Sequence, residues 1–427
     1  MKNIESKKLS LLQAVKLIQS HDRIWAGAYL SAPKLFLREL SNHASGLNGV
    51  ALYSGMLTEN YEFLRPEYKG KLDYKSLFMG PLEKSVQGKG NVEIIPYHLS
   101  DIDKILNEAN CNVVVIEVSD IDENGYFSLG ACGGIGNIEA LNNASIVIGV
   151  VNRFQPYICN KENLIHYSHF DFIVEGHHEL SEIPEHSPNN IELKIAENID
   201  EYIKDNSTLQ LGIGGASNAI GMVLCGKKQG LKVHTEMLTE SMMHLWNSGS
   251  IDRNTKMVAA FTAGTKDLYE FVNENPNVEL RNIVDVNNPE TISKHDDFIS
   301  INNCLMVDLT GQVASEGIGH KQISGTGGQV DFVRGANMSK GGVSILALPS
   351  TLIDPLSGEE SSKIQLTLPA GTPVTTARTD VHLIATEYGA VNLVGLSTKQ
   401  RAKRLIELAA PKFRDSLTEQ AKSVGLI

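Results

Sequence analysis

Leu209-Gln210-Leu211-Gly212-Ile213-Gly214-Gly215-Ala216-Ser217 reads as the end of a buried strand running into a glycine turn that opens a helix, because the apolar residues stop where three glycines crowd together. Such a turn offers backbone N–H groups. A helical run from Ala219 to Leu224 and a polar turn, Gly226-Lys227-Lys228-Gln229-Gly230, lead into a second short strand, Leu231-Lys232-Val233-His234, expected to end at Thr235-Glu236-Met237. A carboxylate at the mouth of one strand beside amides at the mouth of its neighbour is the arrangement a carboxylate nucleophile facing an oxyanion hole needs. Spacing alone leaves open that Glu236 is a solvated loop residue after a strand.

Outward from this stretch the pattern recurs. Residues 11–20 have helical spacing, 22–28 read as a strand leading to a glycine turn, and a helix is expected from about Pro33. Strands are expected at 49–53, 92–96, 112–118, 145–151 and 170–175, with a helix at 102–107. Apolar strands separated by helical runs imply a largely parallel α/β sheet. The second half repeats the first. Tyr53-Ser54-Gly55-Met56-Leu57-Thr58-Glu59 lines up with His234-Thr235-Glu236-Met237-Leu238-Thr239-Glu240, and Ala144-Ser145-Ile146-Val147 with Val343-Ser344-Ile345-Leu346. Gly27 falls opposite Gly212 and 115–118 opposite 306–309, an offset near ~190 residues, which is a domain-sized period. Where the second copy has Glu236, the first has Gly55.

The expected fold class is therefore α/β: two similar open domains with largely parallel sheets, an internal duplication. The domains are expected at 1–188 and 189–427, divided within the polar stretch Glu182-Ile183-Pro184-Glu185-His186-Ser187-Pro188-Asn189-Asn190. The two glycine turns are expected to face each other across a cleft, with Gly27-Ala28-Tyr29-Leu30 and Met79-Gly80-Pro81 closing over Glu236.

At 427 residues and 42% hydrophobic content, the chain exceeds what one core usually supports and is too apolar for disorder. A formal charge of −12 argues against a nucleic-acid surface, although an anionic ligand needs only a few placed cations. Cys111, Cys132, Cys159, Cys225 and Cys304 are scattered without a CxxC or Cys/His cluster, which fits a reducing compartment and gives no metal signature. His177-His178 reads as a solvated polar loop. The longest apolar runs, 113–116 and 146–151, fall far short of the ~18 residues of a membrane span. Met1-Lys2-Asn3-Ile4-Glu5-Ser6-Lys7-Lys8 is followed by no apolar segment of signal-peptide length, so a cytoplasmic protein without membrane association is expected. Gly212-x-Gly214-x-x-Ser217 lacks the third glycine of a dinucleotide fingerprint, which disfavours a nicotinamide enzyme.

Leu209-Gln210-Leu211-Gly212-Ile213-Gly214 followed by His234-Thr235-Glu236-Met237 resembles the signature of the acetyl-CoA hydrolase/transferase family, in particular its 4-hydroxybutyrate and butyrate:acetate CoA-transferase branch. Lys321-Gln322-Ile323-Ser324-Gly325-Thr326-Gly327-Gly328-Gln329-Val330-Asp331-Phe332 resembles that family's SGxGGQxDF block. Met79-Gly80-Pro81, Tyr97-His98-Leu99-Ser100, Asn124-Gly125-Tyr126-Phe127 and Thr386-Glu387-Tyr388-Gly389 extend the likeness over nearly the whole chain.

The resemblance implies a CoA-transferase in which Glu236 is the nucleophile. It implies an oxyanion and CoA-binding stretch of Gln210, Leu211, Gly212, Ile213 and Gly214, and CoA contacts at Gly325, Gly327 and Gly328. Thr351, just past an expected strand end where α/β ligands sit, is a further candidate. No metal and no tightly bound cofactor are implied. Coenzyme A is substrate and covalent intermediate, acyl-CoA and small carboxylates are the partners, and a homodimer or homotetramer is expected. Two other functions use the same residues: a hydrolase, if water reaches the glutamyl intermediate, and a non-catalytic CoA-binding protein. For Gln210 the ordinary alternative is a strand residue bonding its own neighbours. For Lys321, Arg334 and Lys340, which could meet phosphates, it is exposed surface charge.

Overall fold

The structure, a computed structural model, describes residues 4–355 and 357–427, so Met1, Lys2 and Asn3 of the basic N-terminal stretch lie outside the described residues. The chain forms two compact units. One comprises the chain up to Pro184 together with Lys256–Val286, and the other Glu185–Thr255 together with Asn287–Ile427.

In the first unit eight parallel strands run in the order Lys8–Leu9, Phe172–Glu175, Ile146–Val151, Val113–Val118, Arg23–Trp25, Val50–Ser54, Leu72–Ser76, Glu93–Ile94. Val113–Val118 is buried at every position, as a strand covered on both faces must be. The sheet grows to either side of the boundary between Arg23–Trp25 and Val113–Val118, which makes that boundary its topological switch point.

In the second unit Lys232–Leu238, Thr208–Leu211, Phe298–Asn303, Val343–Ala347 and Leu383–Thr386 lie parallel in that order, and Gly389–Asn392 closes the edge antiparallel. The order Phe172–Glu175, Ile146–Val151, Val113–Val118, Arg23–Trp25, Val50–Ser54 of the first unit is therefore matched strand for strand. The partner of Val113–Val118 is Phe298–Asn303 and not the expected 306–309. Met306–Asp308 leaves the main sheet to pair with Val313–Ala314 and Ile364–Gln365. Both segments are apolar and short, so hydrophobic pattern alone could not choose between them.

The expected division at 188 and 189 falls four residues past Pro184, and the compact first unit also takes in Lys256–Val286. That segment forms a parallel pair, Met257–Thr262 with Val278–Leu280. Its backbone is tied to the rest of the first unit: the Thr262 N–H donates to the Ala131 carbonyl, and the Asn160 side chain both donates to and accepts from the Leu280 backbone. At Gly134 a Cβ would overlap the carbonyls of Ala260 and Arg281, so only glycine permits this approach. The linking stretch up to Asn189 has no regular structure. It ends in a capping box, in which Asn189 accepts from the Ile191 and Glu192 N–H groups and Glu192 accepts from Asn189, opening the helix Asn190–Ile199. Among the described residues no helix is long and apolar enough to cross a membrane.

Candidate active site

Glu236 lies within a strand: Lys232–Leu238 runs through Thr235-Glu236-Met237, the expected strand end. Its neighbour Thr208–Leu211 is paired in parallel, Thr208 with Lys232 and Leu209 with Val233, so Gly212 comes level with Glu236. The Thr235 hydroxyl lies at this end of the pair, 3.3 Å from the Met237 carbonyl and 3.5 Å from the Leu211 carbonyl.

The half-buried Glu236 side chain meets two donors. The Asn287 amide donates to its Oε2 at 2.8 Å, and the Gly328 N–H donates to the same carboxylate. Gly328 is at once the end of the glycine-rich segment and the cap of the helix Gln329–Met338. A Cβ there would overlap both the Glu236 oxygen and the Asn287 nitrogen, so the carboxylate sits directly on bare backbone. Gly327 before it takes φ +63°, a left-handed conformation that glycine adopts readily. Asn287 is fully buried, and its Oδ1 has no hydrogen-bond partner among the described residues.

The electrostatics are a contest that burial wins. Desolvation pushes the Glu236 carboxyl up to about 7, and the buried Asp331 charge in the first turn of the helix adds to it; the Asn287 amide and the Gly328 N–H oppose. The result is a carboxylate that ionises near neutrality and, once ionised, is poorly hydrated.

The glycine turn is arranged differently from the expectation. The Gln210 amide does not face an open site. It is buried, donating to Asn302 Oδ1 at 3.0 Å and accepting from Ser300 Oγ at 2.6 Å and Asn302 Nδ2 at 3.0 Å. Strand pairing provides both neighbours, and a buried amide must find such partners. The Gly212 N–H is likewise committed, to the Ile301 carbonyl at 2.8 Å. Leu211 is core. The Ile213 and Gly214 N–H groups carry no intramolecular partner among the described residues, and Ile213 is exposed. Asn303 braces the turn, donating to the Ile213 carbonyl at 2.8 Å and to Ser217 Oγ at 3.0 Å, and Gly214 at φ +118° leaves it room.

Thr351 belongs to a separate hairpin, Thr351–Ile353 with Glu360–Ser362, where its hydroxyl bonds the Glu360 carboxylate. Beside it, Ser350 is fully buried and donates its N–H and hydroxyl to the two oxygens of Glu387 at 2.9 and 2.6 Å. Of the predicted site residues, the structure thus brings Glu236 and Gly328 into contact and sets Gly212 alongside. It adds Asn287, Asn302 and Asn303, which carry no local sequence signal beyond being polar.

Known proteins resemble this chain over nearly its whole length. The family model of the acetyl-CoA hydrolase/transferase N-terminal domain matches residues 2–183, and that of the C-terminal domain matches residues 264–421. The 4-hydroxybutyrate coenzyme A transferase of Clostridium kluyveri is 36% identical, covering 98% of both chains. The butyryl-CoA:acetate CoA-transferase of Anaerostipes caccae is 34% identical over 97% of this chain and 95% of its own. The crystal structure of RipA from Yersinia pestis superposes with a TM-score of 0.92 at 33% identity, covering 100% of this chain and 99% of that one. Matches to acetyl-CoA hydrolases span about half of the chain. With both domain models in sequence order and full-length relatives above 30% identity, the chain belongs to the acetyl-CoA hydrolase/transferase family.

Proposed function

We propose that this chain, a CoA-transferase, moves CoA between a short-chain acyl-CoA and a free acid such as acetate, with Glu236 holding CoA between the two halves of the reaction. The Glu236 carboxylate attacks the thioester carbonyl; the C–S bond breaks, giving an acyl-glutamyl anhydride and CoA thiolate. The thiolate then attacks the glutamyl carbonyl, the bond to the first acid breaks, and a glutamyl-CoA thioester and a free carboxylate result. A second acid runs the steps in reverse.

The observation that carries this reading is the convergence of the Asn287 amide and the Gly328 N–H on a carboxylate already short of water. When the glutamyl carbonyl is attacked, negative charge collects on its oxygen, and the same two donors meet it without rearrangement. Loss of one such donor typically costs about 2.7–4 kcal/mol. In the other tetrahedral intermediate the charge is on the substrate oxygen, for which Ile213 and Gly214 offer uncommitted amides. Gln210 and Gly212 then act as supports of that turn. Gly325, Gly327 and Gly328 give CoA a stretch of bare backbone to pass along, with Thr351 a more distant contact. CoA is substrate and covalent intermediate, not a resident cofactor. Five free cysteines suit a reducing cytoplasm, and a homodimer or homotetramer belongs to the same reading.

The test is to add acetyl-CoA or butyryl-CoA without any acceptor acid and map the intact protein by mass. A CoA adduct on the peptide carrying Glu236 is expected. An adduct on a cysteine instead, or none, overturns the mechanism, and steady release of free thiol without acceptor identifies a hydrolase.

A further inference from the structure

His178 is not a solvated loop residue. It lies just past Phe172–Glu175 in the first unit, and its ring faces acceptors on both sides: Nε2 stands 2.8 Å from Glu117 Oε2, and Nδ1 stands 3.0 Å from the Glu179 carbonyl. Opposite an ionised Glu117, a neutral imidazole has one N–H and satisfies only one of these acceptors, while the doubly protonated ring satisfies both; the Asn152 amide nitrogen lies farther from Nε2, at 3.5 Å. The adjacent His177 makes the contrast. Its Nε2 meets Glu175 at 2.9 Å while its Nδ1 accepts the Arg153 N–H at 3.3 Å, so one proton suffices there.

Glu117 gives the second half of the argument. Its side chain is completely buried on the central strand Val113–Val118, and among the described residues the other groups bonded to it are neutral: Asn152 Nδ2 and Gln155 Nε2, each at 2.9 Å from Oε1. A buried carboxylate needs a compensating charge, and His178 is the group placed to supply it. From this core the bonds run outward to loops. Gln155 Nε2 also donates to the Leu30 carbonyl at 2.7 Å, its Oε1 accepts the Ala131 N–H at 3.0 Å, and Asn152 Oδ1 accepts the His178 N–H at 3.1 Å. The Leu30 loop is under tension, because Tyr29 holds φ +52°, which costs a non-glycine residue free energy.

We propose that Glu117 and His178 form a charge-locked latch that holds the loops at Leu30, Ala131 and His178 in place only while the imidazole carries both protons. Among the described residues, two charged groups act on the ring. Glu117 favours protonation, Lys34 on the helix Lys34–His43 opposes it, and the Tyr61 hydroxyl near Glu117 is buried and neutral. Burial also opposes protonation, yet the bonds to Glu117 and to the Glu179 carbonyl prevail and raise the pKa. A pKa raised on folding gives stability that is fully present below about 6.5 and is lost as pH rises through the folded-state value. The inference is independent of the reaction proposed for Glu236, which lies in the other unit.

Amide hydrogen exchange of the full chain between pH 6 and 9, corrected for intrinsic rates, tests it. Peptides spanning 27–32, 129–133 and 176–180 are expected to lose protection as pH rises above about 6.5, by up to about tenfold per pH unit, and to level off once pH has passed the raised folded-state value of His178. His178→Gln leaves Glu117 buried without a counter-charge and should expose these peptides at every pH. Glu117→Gln combined with His178→Gln should restore protection and abolish the pH step. Flat protection in the unaltered protein from pH 6 to 9, or the same pH step in His178→Gln, overturns the latch. The first of these is readable even if the single variant does not fold.

Discussion

Gly328 has no room for a side chain, because the Glu236 carboxylate occupies the space a Cβ would need. The contact ties the glycine-rich segment to the strand Lys232–Leu238 and leaves the Gly328 N–H pointing at the acid. Gly328→Ala must push Glu236 or Asn287 aside, and a displacement of about 1 Å at a reacting group can lower turnover about a hundredfold. We expect kcat to fall by at least that factor while the melting temperature changes little. Steady-state kinetics beside thermal unfolding would check it, and near-normal kcat would refute the role of the contact.

Glu236→Gln keeps the shape of the side chain but removes the acyl-accepting oxygen anion. Transfer should drop below detection and no CoA adduct should form. The same variant should be more stable above pH 7. With the folded pKa raised from 4.5 to about 7, ionising Glu236 in the fold is penalised; stability declines as pH rises through that window, and the amide escapes the loss. Screening by nearby solvent brings the expected gain to roughly 2 kcal/mol, read from denaturant unfolding at pH 8.

The pH dependence of the first half-reaction follows from the same carboxyl. The attacking form is the anion, so kcat/KM for the acyl-CoA donor should rise with pH and level off above about 7. A profile already flat from pH 5 would mean that the carboxyl ionises at its ordinary value and that desolvation is not felt in solution.

Asn287→Ala removes one of the two donors at Glu236. A loss of about 2.7–4 kcal/mol, or roughly a hundred- to a thousandfold in kcat, is expected from a missing oxyanion donor. Because the amide bond favours the ionised acid, the midpoint of the pH profile should also move up. A purely structural asparagine would destabilise the fold without shifting that midpoint.

Asn303→Ala tests the turn from its other side. Without the bonds to the Ile213 carbonyl and Ser217, the two uncommitted amides should lose their fixed positions, lowering kcat more than affinity for free CoA. Equal losses in both would place Asn303 in CoA binding instead.

The sequence by itself determined the alternation of strands and helices, the duplicated α/β plan and the strand-to-turn passage at Leu211-Gly212, and its resemblance to a known family singled out Glu236 and Gly328. These are written in local patterns: apolar runs, glycines where no side chain fits, and a motif in which each residue is read beside its neighbours. Partnerships set by pairing across the sheet or between distant loops were decided only by the tertiary structure. Asn287 reaches Glu236 across 51 residues, and His178 reaches Glu117 across 61. Gln210 turned inward because Phe298–Asn303 lies beside it and offers Ser300 and Asn302, while Met306–Asp308, equally apolar, went to another sheet. Lys256–Val286 joined the first unit through contacts of its backbone with Ala131, Gly134 and Asn160, residues more than a hundred positions away in sequence. Buried polar groups must be satisfied wherever the chain brings them, and which group satisfies which depends on the completed packing, a long-range outcome that no window of sequence contains.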